Sequence, residues 1–156
     1  MRPFVEPPAR SPSRNFLHEH SLSLATALML ICWVVLYRGA DPDTHLGAFY
    51  GNAIADWIGT LLIIMATKWL FEKGSMESRP VPMHLRGRLR AFFVSHSLTI
   101  FVIITGLGWV SLYSTVNPMD KWGQVVGNIV SEWGQVLGTI LFTKVLIERG
   151  SKESRS

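Results

Sequence analysis

The chain has a single cysteine, Cys32, in 156 residues, which excludes a disulfide framework and a thiolate metal cluster. Charged residues make up only 17% of it. No nucleophile elbow, phosphate-binding loop, zinc-protease triplet or cysteine pair occurs, so no enzyme of a conventional kind is expected. The formal net charge of +4 comes without aromatic and basic interleaving or a binding motif, so nucleic acid is not an expected partner. No small-x-small cleavage site follows the first apolar run, which argues against a secretory leader.

What the chain does have is apolar length, in four blocks: Ser21 to Tyr37, Ala48 to Phe71, Ala91 to Tyr113 and Val125 to Ile147. A helix needs about 20 residues to cross a hydrocarbon layer roughly 30 Å thick, and each block comes close to that length or exceeds it. Four membrane-spanning helices are the simplest reading, with the charges gathered between and outside them. This explains a mean hydropathy of only +0.26.

The second block and its flanks return in the second half of the chain. Gly51-Asn52, Asp56-Trp57, Thr67-Lys68, Glu72 and Gly74-Ser75-x-Glu77-Ser78-Arg79 become Gly127-Asn128, Glu132-Trp133, Thr143-Lys144, Glu148 and Gly150-Ser151-x-Glu153-Ser154-Arg155. Residues 15–79 laid over 91–155 without a gap share 24 identities in 65 positions, where unrelated chains of ordinary composition share about four or five. The first block recurs too: His20, Ser21, Leu22, Trp33, Leu36 and Tyr37 match His96, Ser97, Leu98, Trp109, Leu112 and Tyr113.

The chain therefore divides into a disordered tail (1–14), a first repeat (15–79, helices about 20–37 and 48–71), a basic linker (80–90) and a second repeat (91–155, helices about 92–113 and 124–147). Eleven of the 15 Lys and Arg lie in the N-terminal tail, the central loop and the C-terminal tail. The positive-inside rule puts these three segments in the cytoplasm, where they meet anionic lipid. Each repeat has an even number of spans, so both copies share one orientation about a pseudo-twofold axis along the membrane normal. The expected fold is all-α: a polytopic membrane four-helix bundle of two parallel hairpin repeats. Small residues at four-residue spacing, Gly47, Gly51, Ala55 and Gly59, place the second and fourth helices at its centre.

Asn52 and Asp56 share one helical face, as do Asn128 and Glu132. With the span starting near Ala48, Asp56 sits about 12 Å below the outer boundary at 1.5 Å per residue. A carboxylate there costs several kcal/mol unless it is paired, hydrated or protonated. Gln135, Thr139 and Thr143 continue the face inward on the fourth helix, with Thr67 on the second. Lys68 with Glu72 and Lys144 with Glu148 stand four apart at the inner boundary, a cytoplasmic mouth or a pair of snorkelling lysines. The stripe has two readings: a path for protons or small cations, or polar glue between helices of a structural subunit that assembles with itself or with a larger complex. No cofactor is required by either. A third reading takes His20 and His96 as symmetric ligands for a haem or a metal in an electron carrier.

The His-Ser-Leu-Ser-Leu opening, the acid-Trp segment and the Gly-Ser-x-Glu-Ser-Arg exit resemble those of a family of short bacterial inner-membrane proteins of unknown function. In that family an Asn-Gly-Leu-Ser-Leu opening and a Gly-Ser-x-Glu-Ser-Lys/Arg exit bracket a helix pair. The resemblance covers about 65 residues of each repeat, and His20 and His96 stand where the family has Asn. It implies a bacterial inner-membrane location and no activity.

Overall fold

The computed structural model describes residues 12–75, 77–82 and 87–146. They form α1 (Pro12–Glu19), α2 (Ser21–Gly39), α3 (His45–Ala66), α4 (Arg88–Ser95), α5 (Ser97–Tyr113) and α6 (Lys121–Val145). α2, α3 and α6 are long and apolar enough to cross a membrane, and α4 with α5 adds a fourth span if that bent pair is counted as one. α3 packs on α2 and on α6, and α6 packs on α5. The central pair carries the core. Seven α3 residues and five α6 residues are buried, against two each on α2 and α5. Leu24, Leu28, Ile31 and Val35 of α2 and Ile103, Ile104 and Leu107 of α5 lie exposed. In lipid such perimeter residues need no further cover. Cys32 is exposed with them.

The element boundaries depart from the periodicity in three places. The apolar stretch expected as a single third span is broken at His96, where α4 and α5 meet at 64°. Ser97 Oγ turns back to Val94 O at 2.9 Å, and the equivalent Ser21 Oγ reaches His18 O at 2.9 Å where α1 meets α2. Both breaks have the same backbone, with His20 at φ −115° and His96 at φ −123°. Second, α3 stops at Ala66 instead of running to Phe71. Thr67 Oγ1 takes the Ile63 carbonyl at 2.6 Å, and Lys68 N and Trp69 N then close tighter turns on Met65 O and Ala66 O. A hydroxyl that competes for a helical carbonyl in this way loosens the last turn. Third, α1 takes in Pro12 to Arg14 from the expected disordered tail, while residues 1–11 lie outside the described residues. In the linker, Arg88 starts α4, and residues 83–86 lie outside the described residues.

The freed segment after α3 does structural work. Phe71 O accepts from Leu98 N at 3.0 Å, Glu72 Oε2 accepts from Thr99 N at 3.0 Å, and Lys73 N donates to Ser95 O at 2.7 Å. The first amides of α5, which no helical carbonyl can reach, are therefore capped from the other hairpin. A carboxylate at that helix N-terminus also matches the sign of the helix dipole.

The outer turns use the duplicated glycines. A Cβ added at Gly47 would lie 1.9 Å from Asp41 O, and one at Gly123 would lie 1.9 Å from the equivalent Asn117 O. Gly51 and Gly127 seat the rings of Tyr37 and Tyr113 from their own hairpins, with 3.3 and 3.0 Å left for a Cβ. Of the expected small-residue row, Gly59 is the glycine whose open side meets α6 directly, at Glu132. Tyr37 also ties the hairpins together at this end, its hydroxyl donating to Lys121 O at 2.6 Å beneath the Lys121 ammonium.

Candidate functional site

Helical spacing puts Asn52 and Asp56 one turn apart on α3, and Asn128 and Glu132 one turn apart on α6. Because α3 packs on α6, the two rows meet. At the N-terminal ends of α3 and α6 lies a cavity of about 510 Å³ lined by Tyr37, Ala48, Gly51 and Asn52 and by their counterparts at matching sequence positions, Tyr113, Gln124, Gly127 and Asn128. The site is thus built from the repeated positions themselves.

One turn deeper, the carboxyls of Asp56 and Glu132 come into hydrogen-bonding range of each other. Glu132 Oε1 also accepts from Gln135 Nε2 at 3.1 Å, and its other oxygen lies near Gly59 in the space a side chain would fill. A second cavity of about 230 Å³ follows towards the C-terminal end of α6, lined by Glu132, Gln135, Thr139, Ile63, Val136 and Glu77. Glu132 therefore stands beside Asp56 and at the wall of a second cavity that Glu77 also lines. The face is not enclosed. Asn52, Asp56, Thr60, Gln135 and Thr139 are exposed along the surface of the chain.

At the inner end the structure pairs residues differently from their spacing. Glu72 bonds Lys144 and His96, not its neighbour Lys68 one helical turn earlier, because α3 has ended at Ala66 and the segment crosses to the second hairpin. Glu72 is 1% exposed. His96 Nδ1 lies 2.6 Å from Oε1, which Lys144 Nζ also approaches, and the Thr99 amide holds Oε2. Burial pushes this carboxyl up, but the bonds from Lys144, Thr99 and His96 outweigh it and hold Glu72 below the ordinary glutamate range. Thr143, expected on the path, meets Ser75 Oγ at 2.9 Å, and Thr67 serves the end of α3. Lys68 Nζ lies 3.0 Å from Ser23 Oγ and 3.2 Å from His20 Nδ1. Glu148 lies outside the described residues.

Of the residues expected on one face, Asn52 and Asn128 line one cavity, Asp56 lies beside Glu132, and Glu132 bonds Gln135. Sequence reasoning misses Glu77, which sits in the exit motif without apparent chemistry until the chain folds back beneath α6. It also misses the Glu72, His96 and Lys144 cluster, although repetition marks all three residues. His20 and His96 are engaged with Lys68 and Glu72 respectively, and among the described residues no group of three or more His, Cys, Asp or Glu is placed to hold a metal. No protein-family model, no curated protein and no solved structure matches the chain.

Proposed function

We propose that the chain is an integral membrane protein that moves protons or small cations along the face shared by α3 and α6. In this reading two hairpin repeats give four spans about an axis normal to a bacterial inner membrane. Both termini and the basic central loop face the cytoplasm and anionic lipid. Asn52, Asn128 and Gln124 line the outer vestibule, Asp56 and Glu132 hold the carried proton or cation at depth, and Gln135, Thr139 and Glu77 receive it on the inner side. The observation that carries the reading is the Asp56–Glu132 carboxyl pair, with one cavity towards the N-terminal ends of α3 and α6 and another, lined by Glu132, Gln135 and Thr139, beyond it. Acids inside membrane spans are costly and mark ion pathways. Flux into liposomes tests it. Wild type is expected to dissipate an imposed proton or cation gradient, and Asp56→Asn with Glu132→Gln to abolish that flux while the fold stays intact. Absence of flux from folded wild type across pH and cations overturns it.

A second reading rests on a different observation, the exposure of Asn52, Asp56 and Gln135 on the chain's surface. Polar groups facing hydrocarbon need cover. Here the protein is an accessory or structural subunit whose polar face is closed by a second copy or a larger membrane complex. Mass measurement in mild detergent separates the two readings. This reading expects an oligomer that the same double substitution dissociates, whereas the transport reading expects the mass to be unchanged.

A further inference from the structure

The segment after α3 occupies a slot made entirely by the second repeat. Phe71 and Lys73 bond the α4–α5 break, Glu72 sits between His96 and Lys144, and Ser75 Oγ meets Thr143 Oγ1 at 2.9 Å. Every receiving position has a counterpart in the first repeat. Ser95, Thr99, Thr143 and Lys144 correspond to Glu19, Ser23, Thr67 and Lys68, and His96 corresponds to His20. The occupying residues are duplicated as well, since Glu72 and Ser75 correspond to Glu148 and Ser151.

The counterpart positions form a cleft. Glu19, Leu22, Ser23, Thr67 and Lys68 line a space of about 460 Å³ at the α1–α2 break, together with Glu77 and Arg79. Where His96 and Lys144 jointly hold a carboxylate, His20 and Lys68 hold each other at 3.2 Å, with the Lys68 ammonium also on Ser23. The α1–α2 break beside them has the same backbone and the same serine contact as the filled slot's α4–α5 break.

We infer that this cleft is the docking site of the chain's own residues 147–151, with the Glu148 carboxylate seated on His20, Lys68 and the Ser23 amide. The lining is mixed, Lys68 and Arg79 with Glu19 and Glu77, but the His20 and Lys68 pair repeats the His96 and Lys144 pair that holds the Glu72 carboxylate. Reach fits. Lys68 to Glu72 and Lys144 to Glu148 have the same spacing, and the described chain ends at Leu146, just short of Glu148. Each repeat then clasps the broken helix of the other, and the inner end of the molecule is latched twice. The inference stands apart from transport.

Disulfide capture tests it in a Cys32→Ser background, because Cys32 is exposed. Thr67→Cys with Ser151→Cys probes the proposed seat. Ser75→Cys with Thr143→Cys, whose hydroxyls are 2.9 Å apart in the filled slot, is the control. The expected result is an intramolecular link in both pairs, to a similar extent. A control that links while Thr67→Cys with Ser151→Cys does not overturns the inference. A link between chains overturns it too, because the occupant is then a second copy's tail. Acylation of Lys68 gives an independent reading should the control pair fail to close. Glu148→Ala is expected to raise Lys68 labelling severalfold, and unchanged labelling overturns the inference.

Discussion

Glu72 and Glu132 are the same residue in two settings, and the contrast organises the molecule. Glu72 is sealed at 1% exposure, with both oxygens bonded by Lys144, His96 and the Thr99 amide. Glu132 has one amide donor, Gln135, a second acid, Asp56, and a cavity beside it. The first arrangement is satisfied and holds its charge fixed. The second is left short of donors beside space for water or an ion, which is the condition under which a carboxyl exchanges what it binds. Satisfied networks specify structure, and places where local rules are broken are where function is expected.

If the inner cluster is a clamp, its loss is the largest effect on stability. Glu72→Ala leaves Lys144 and His96 without their acid and is expected to cost about 3–5 kcal/mol, as breaking a buried pair does, read by thermal unfolding in detergent. The pH dependence follows from the same group. Its carboxyl lies below the ordinary value of 4.5 in the folded chain, so the stabilisation is complete above that pH and is lost as pH falls through the lower folded value. Melting of wild type should therefore decline below pH 4.5, and Glu72→Gln should flatten that decline. A decline of equal size in Glu72→Gln would assign it to another acid.

The outer turns come next. Gly47→Ala or Gly123→Ala drives a methyl to 1.9 Å from a turn carbonyl, and a loss of about 1–3 kcal/mol is expected as the backbone shifts. Tyr37→Phe removes the bond to Lys121 O and is expected to cost about 1 kcal/mol. The smallest stability effect should be on the open face. Asp56→Asn with Glu132→Gln keeps shape, relieves a pair of acids, and should stay within about 0.5 kcal/mol of wild type. A large loss there would erase the contrast and favour polar glue.

The legibility of these regions in the sequence differed for physical reasons. Spans and central helices were readable because apolar length and small-residue spacing report on lipid and close packing directly. The α3–α6 face was readable because Asn52 to Asp56 and Asn128 to Glu132 are local helical relations that duplication doubles. The inner clamp was not, since Glu72 has an equally good local partner in Lys68, and only the early end of α3 sends it across to Lys144 and His96. Thr67 carried that signal as a hydroxyl able to take a helical carbonyl, and Gly74, at φ +94°, marked the turn that follows. The His-Ser step at 96–97 hid its helix break because the apolar run from Ala91 continues through it.

The most direct test of the account measures gradient-driven proton and cation flux and melting temperature on the same preparations of wild type, Asp56→Asn with Glu132→Gln, and Glu72→Gln. The account predicts that the first variant loses flux with its melting temperature kept, and that the second loses melting temperature while its folded fraction still conducts. Flux that survives removal of both face acids, or that disappears only as far as the protein unfolds, would contradict it.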